Sequence, residues 1–189
     1  MIKNILHIKN MVCPRCISSV SRILEDMNIS YRTIKLGEVQ LDAQLENEDR
    51  AVLSKKLSEE GFSIINNRKA QLIERMKNLV VKTIHHSNEG KDVIWAKLIS
   101  NEFHLDYKYL SSLFSSVEGI TLEQFIINQK IERIKELIVY DELTLSEIAF
   151  NLNYSSVAYL SNQFKKLTGM TPSEFKKSTN KNRKPLDEI

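Results

Sequence analysis

The sequence predicts an α+β protein: a small βαββαβ domain over residues 1–66, a linker helix over 67–86, an all-α domain with two helix-turn-helix units over 87–180, and a basic, polar tail over 181–189. Three observations predict it. Strand-like and helix-like segments alternate in the first third of the chain. A stretch from the second half recurs at an offset of 50 residues. The formal charge is also uneven, with 9 basic and 9 acidic side chains in residues 1–66 against 18 and 15 in residues 67–189, so the whole net charge of +3 sits in the second part.

The chain has 189 residues, 27% of them charged, with only 5 Gly and 3 Pro, the composition of an ordinary folded protein rather than a disordered or collagen-like one. No stretch approaches the roughly 20 apolar residues that span a bilayer, and Met1 to Asn10 lacks the apolar core of a secretion signal. The expected address is therefore the cytoplasm, with no membrane partner. The two cysteines, Cys13 and Cys16, stand too close together to staple a secreted fold, which fits a reducing compartment.

In the first domain the expected strands are Ile2 to Ile8, Ile29 to Ile34, Glu38 to Leu41 and Phe62 to Ile65, and the expected helices Pro14 to Met27 and Asp49 to Glu60. That order predicts a ferredoxin-like sandwich, two helices on one face of an antiparallel sheet. Cys13-Pro14-Arg15-Cys16 falls in the first strand-to-helix loop. A thiolate at a helix amino terminus is favoured by free amides and the dipole, and Arg15 adds positive charge. Two soft thiolates select Cu(I) or Zn(II); two are too few for a closed zinc site, so Cu(I) is the better match. The same arrangement serves thiol redox switches, or is purely structural.

Arg68 to His86 reads as an amphipathic connector carrying Leu72, Met76, Leu79, Val80, Thr83 and Ile84 along one side. The repeat follows. Tyr109 to Phe125 (YLSSLFSSVEGITLEQF) lies over Tyr159 to Phe175 (YLSNQFKKLTGMTPSEF), with Tyr, Leu, Ser, Phe, Gly, Thr and Phe in register. Leu110, Phe114 and Val117, and Leu160, Phe164 and Leu167, form two stripes at i, i+4, i+7 that are expected to be buried. Gly119 and Gly169 supply the left-handed residue that ends each helix. Thr121 to Gln124, Thr144 to Glu147 and Thr171 to Glu174 match capping boxes, Ile120 with Phe125 and Met170 with Phe175 match hydrophobic staples, and Asp106 is a plausible cap. Short amphipathic helices, Val93 to Phe103 and Leu145 to Leu152, precede the repeated ones, and Leu122 to Val139 reads as a spacer helix with Phe125, Ile126, Ile131, Ile134, Leu137 and Ile138 inward.

These residues resemble the AraC/XylS family of transcription regulators: TLSEIAFNLNYSSVAYLSNQFKKLTGMTPSEFKK is similar to the second DNA-binding unit and WAKLISNEFHLDYKYLSSLFSSVEGITLEQFI to the first, over roughly Arg75 to Lys177. Asn153 and His104 stand where the family usually has a turn glycine, Lys130 where it has arginine and Ile134 where it has alanine. The resemblance implies double-stranded DNA as partner, with the second helix of each unit in the major groove. Opposite the apolar stripes lie Lys108, Ser111, Ser112 and Ser115, then Ala158, Ser161, Asn162 and Lys165, with Val157 and Lys166 beside them. Hydroxyls and Asn162 suit base edges, Ala158 or Val157 a thymine methyl, and the lysines phosphates.

Asn10-Met11-Val12-Cys13-Pro14-Arg15-Cys16 resembles the metal loop of heavy-metal-associated domains, with Asn10 where that family usually has glycine. A homodimer and a thiol oxidoreductase are the other possibilities the residues leave open. No Ser/His/Asp arrangement or phosphate-binding glycine loop points to other catalysis, and the expectation is a protein that is not an enzyme. His7, His85, His86 and His104 are scattered, and the Tyr and Phe positions are expected in the core.

Overall fold

The computed structural model describes residues 4–86, 93–178 and 183–186. The first residues of the expected strand at Ile2, the opening of the second domain at 87–92, and tail positions 179–182 and 187–189, Lys181 among them, lie outside the described residues. The chain divides into two compact units, Met1–Asn78 and Leu79–Ile189.

The first unit runs β1 (Ile5–Lys9), α1 (Pro14–Asp26), β2 (Tyr31–Lys35), β3 (Glu38–Leu41), α2 (Asn47–Glu59) and β4 (Ser63–Ile64), then opens α3 (Arg68–His85). Among the described residues four strands form a sheet of order β2-β3-β1-β4 in which every neighbouring pair is antiparallel. Alternation decides the faces: Leu6 and Ile8 of β1 and Val39 and Leu41 of β3 point into a core shared with Val20, Ile23 and Leu24 of α1 and Leu53 and Leu57 of α2. Each such aliphatic side chain contributes about 1.5–3 kcal/mol on burial.

The opposite register pair, His7 and Glu38, sits on the other side of the sheet, and there the first half of α3 attaches. Arg75 Nε lies 3.0 Å from Glu38 Oε1. Gln71 Nε2 donates to the Ile65 carbonyl at 2.8 Å, and the Asn10 amide donates to Glu74 Oε1 at 3.0 Å. The sequence predicted helices on one face only. The third helix is anchored by polar side chains that a hydrophobic period does not reveal.

The second unit holds the last turns of α3 and then α4 (Trp95–Phe103), α5 (Tyr107–Glu118), α6 (Leu122–Tyr140), α7 (Leu145–Asn151), α8 (Val157–Thr168) and α9 (Pro172–Lys177). Its core gathers Ile99, Leu110, Phe114, Leu122, Phe125, Ile134, Ile148, Leu160, Phe164 and Phe175, all at most 3% exposed. The repeat appears as two copies of one aromatic pair, Phe114 with Phe125 at a 5.4 Å centroid separation and Phe164 with Phe175 at 5.6 Å. Each pair pins a helix to the one that follows its glycine corner. No helix among the described residues is long and apolar enough to cross a membrane.

Two expectations need correction. Val117 and Leu167, assigned to the buried stripes, are 49% and 42% exposed. The buried face of α5 is Leu110, Leu113 and Phe114, an i, i+3, i+4 patch, because the chain turns away at Gly119 just past Val117. The aromatic side chains are not all core either: Tyr109, Tyr140, Phe150 and Tyr159 are each more than half exposed.

Candidate nucleic-acid interface

The two corners are built by local chemistry that can be followed bond by bond. In the first, α4 ends on His104 at φ 53 and α5 starts on Asp106, whose carboxylate accepts from the Tyr109 amide. In the second, Asn153 takes φ 55 after α7, and the Ser156 hydroxyl accepts from the Tyr159 amide to start α8. Both turns therefore adopt the left-handed residue without glycine, Asn readily and His at a modest cost. Gly119 at φ 74 and Gly169 at φ 83 close the two repeated helices, α5 and α8.

The capping boxes at Thr144/Glu147 and Thr171/Glu174 are complete. Backbone and hydroxyl bonds from Thr144 and Thr171 hold the Glu147 and Glu174 carboxyls below the usual carboxylate range. The third box is half formed. Thr121 accepts from the Gln124 amide, but the Gln124 side chain donates to Asn128 at 2.8 Å instead of returning to the cap.

On α5, Lys108 and Ser112 are exposed, and Ser111 and Ser115 are half-buried. The Ser115 hydroxyl donates to the Ser111 carbonyl at 3.0 Å, leaving its lone pairs free to accept. On α8, Ala158, Asn162, Lys165 and Lys166 are exposed, and Val157 and Ser161 half-buried. The fold thus puts two outward polar faces in the same register of the repeat, each opposite its Leu and Phe anchors.

The basic cluster near the carboxy terminus is less free than the sequence implied. Lys176 pairs with Asp141, and Arg183 lies 3.5 Å from Glu136. The Lys184 amide donates to Glu132 Oε2 at 3.0 Å. The Lys176 and Arg183 cations are thus committed to acids contributed by α6 and its C-cap, while at Lys184 it is the backbone that is held; proximity in sequence shows neither.

Lys130 and His85 are functional-looking side chains whose roles the sequence did not reveal. The Lys130 ammonium donates to the Leu152 carbonyl at the end of α7 at 2.7 Å and stands 5.0 Å from the Tyr154 ring centroid, so the spacer helix holds the second corner directly. Burial pushes its pKa down. His85 is buried, with Nε2 3.0 Å from Gln129 Oε1. His7 is half-buried, and His86 and His104 are exposed. His7 titrates below its usual range because burial outweighs the nearby Glu38 carboxylate.

In the first unit, Cys13 is the N-cap of α1 and Cys16 lies in its first turn, with the two sulfurs 3.2 Å apart and both thiols free and partly exposed. The expected activation by helix amides is outweighed at Cys16, where burial and the hydrogen bond with Cys13 push the thiol up. Asn10 supplies the left-handed turn before this loop at φ 71, and its side chain donates to the Gly61 carbonyl at 2.9 Å. The donor set fits one soft ion held by two sulfurs. Cys13 and Cys16 would hold it, and their sulfurs, in contact at 3.2 Å, would have to open to admit an ion between them. Zinc would also need further ligands, and no group of three or more His, Cys, Asp or Glu that could hold a metal occurs among the described residues.

A family model described as a helix-turn-helix domain matches residues 99–178. The uncharacterized HTH-type transcriptional regulator YtdP of Bacillus subtilis is 24% identical over 112 residues, 59% of this chain and 14% of that protein. The probable transcriptional regulator LumQ of Photobacterium leiognathi is 24% identical over 155 residues, 78% of this chain and 61% of that one. The chain therefore spans less than two thirds of the length of these curated relatives. Among solved structures, the carboxy-terminal domain of AraT, a response regulator from Geobacillus stearothermophilus, is similar at a TM-score of 0.50 and 22% identity, over 59% of this chain and 88% of that one. By fold and by family match, residues 99–178 are similar to a helix-turn-helix domain, and one helical corner occurs twice within them.

Proposed function

We propose that this chain is a sequence-specific, non-enzymatic transcription regulator of the AraC/XylS type that binds double-stranded DNA through α5 and α8. The observation that carries the reading is the duplicated corner, whose outward polar faces sit in one register on two helices held by a common spacer. Each helix enters a major-groove segment. Ser111, Ser112, Ser115, Ser161 and Asn162 address base edges, Val157 and Ala158 thymine methyls, and Lys108, Lys165 and Lys166 phosphates. The naming of several relatives as transcriptional regulators supports this.

Selection of bound duplexes from a random pool at stated salt tests it. The expected product is a site with two sequence elements about one helical turn, ~34 Å, apart. Asn162→Ala should relax the element read by α8 alone, whereas Lys165→Ala with Lys166→Ala should weaken binding to all sequences and flatten its salt dependence. Recovery of no enriched sequence refutes the reading.

For the first unit we propose a ferredoxin-like fold that makes the regulator responsive to a soft ion, Cu(I) in preference to Zn(II), through Cys13 and Cys16. The βαββαβ order, the strand order β2-β3-β1-β4 and the paired sulfurs support it. The 3.2 Å contact also favours a second reading, a redox switch in which the thiols lose two protons and two electrons to a disulfide oxidant such as oxidised glutathione. A DNA partner and two neighbouring cysteines that staple no fold support the cytoplasm as the address in this reading. Equal DNA affinity with and without Cu(I), and with and without oxidised glutathione, would leave the unit a dimerisation module only, a role that the Cys13→Ser, Cys16→Ser variant and a mass measurement in solution would identify.

A further inference from the structure

The two reading helices carry a second pair of matched side chains that the polar faces do not include. Tyr109 is 51% exposed and Tyr159 is 55% exposed, at the same position of the repeat. Each sits three residues after its N-cap, where its own amide is taken by Asp106 or Ser156. Among the described residues no hydrogen bond or ion pair engages either phenol hydroxyl. Half-exposed aromatic rings are a costly choice for a solvated helix surface, since each leaves apolar area in water and a tyrosine is only a moderate helix former. The fold nevertheless keeps it twice. Tyr159 is also held in place, its ring 6.0 Å from that of Tyr154, which is itself fixed by a 2.7 Å bond from its hydroxyl to Gln163.

The position on the helix decides what such a phenol meets. Tyr109 follows Lys108 by one residue and precedes Ser112 by three; Tyr159 stands likewise to Ala158 and Asn162. One residue is about 100° of rotation, so each ring borders the outward face instead of lying at its centre. A helix seated in the major groove has base edges below its centre and a phosphate backbone along each border. A long neutral donor in the first turn, at the border, meets the wall of the groove.

We propose that Tyr109 and Tyr159 are paired phosphate anchors, each phenol hydroxyl donating to a backbone phosphate beside the groove segment its helix reads. This rests on the DNA-binding reading above. The anchors fix the height and register of the two helices; the neighbouring serines and Asn162 then read sequence.

Tyr109→Phe, Tyr159→Phe and the double variant, in the full chain, provide the test, with affinity measured for a selected duplex and a scrambled duplex across a salt series. Tyr→Phe removes only a hydroxyl that has no protein partner, so the melting temperature should not change. One hydrogen bond to a charged oxygen is lost per variant, which predicts binding about tenfold weaker for each and about a hundredfold weaker for the pair. The loss should be equal on both duplexes. The slope of log affinity against log salt should stay at its wild-type value, because no charge was removed. Unaltered affinity in the double variant overturns the proposal, and so does a loss confined to the selected duplex, which would make the tyrosines base readers. If the wild-type chain itself fails to prefer the selected duplex, the DNA reading falls and the anchors with it. A discriminating wild type with unaffected Phe variants removes the anchors alone.

Discussion

Acidification should destabilise the second unit through one imidazole. His85, in the last turn of α3, has its ring in the core with Nε2 against Gln129 on α6. Glu136 lies 3.7 Å from Nδ1 and favours protonation. That carboxylate, however, is already bonded by Arg133 at 2.7 Å and faced by Arg183 at 3.5 Å. Arg133 and His86 both oppose a further positive charge, and burial outweighs every favourable contact, so the pKa falls from the usual 6.5 to about 4. A histidine depressed in the fold binds its proton mainly in the unfolded chain. Its stabilising effect is complete above the unfolded pKa of 6.5 and is lost as pH drops from there toward 4. At 1.36 kcal/mol per unit, the full loss is about 3 kcal/mol, of which about 2 kcal/mol is gone by pH ~5. Trp95, the single tryptophan, lies on α4 and reports this unit in a urea titration followed by fluorescence. Glu136, Glu147 and Glu174, held below their ordinary 4.5, add their own losses mainly below pH ~5. Wild type should lose about 2 kcal/mol between pH ~7 and ~5, and His85→Gln, which can still bond Gln129, should lose little. Equal losses in the two proteins would refute the argument.

Two further substitutions test other contacts. Lys130→Met removes the donor to the Leu152 carbonyl and the cation above Tyr154; with partial relief of the ammonium's desolvation, a cost of about 2 kcal/mol in urea unfolding is expected, and Lys130→Arg should recover most of it. Gly37 and Gly61 share a left-handed backbone, at φ 76 and φ 83, but a Cβ at Gly37 collides with the buried Asn78 side chain while one at Gly61 meets nothing within 4 Å. Gly61→Ala should cost about 1 kcal/mol in backbone strain alone, and Gly37→Ala a further 1–3 kcal/mol or so for overpacking, both read by circular dichroism melts; equal costs would mean that Asn78 moves aside freely.

Local chemistry was the legible part of this sequence. Thr144, Thr171, Asp106, Gly119 and Gly169 each act within four residues of themselves, and the structure uses each as a cap or corner, as it does Asn10, His104 and Asn153 at left-handed turns. Periodicity and the repeat located the helices from α3 to α8 but overextended the apolar stripes to Val117 and Leu167, because a period does not show where a neighbouring element ends. Partners distant in sequence left no local trace: Gln129 and His85 are 44 residues apart, Asn10 and Glu74 are 64 apart, and Lys184 and Glu132 are 52 apart. The outward polar faces of α5 and α8 could be read because they mirror the stripes. The exposed tyrosines could not, since an aromatic residue beside a buried leucine reads as core; their recurrence in both copies of the repeat was the available signal.

The margins of the amino-terminal sheet bear on how copies of this protein can associate. On one side it finishes with the two-residue β4, too short to template an incoming backbone. On the other, β2 is irregular between Tyr31 and Thr33 and carries exposed Arg32 and Lys35, which would confront the same cations of a second copy. Extending the sheet from molecule to molecule is therefore disfavoured on both sides, and a dimer formed through this unit has to be assembled from side chains on its helices and loops, a contact that point substitutions can dissect.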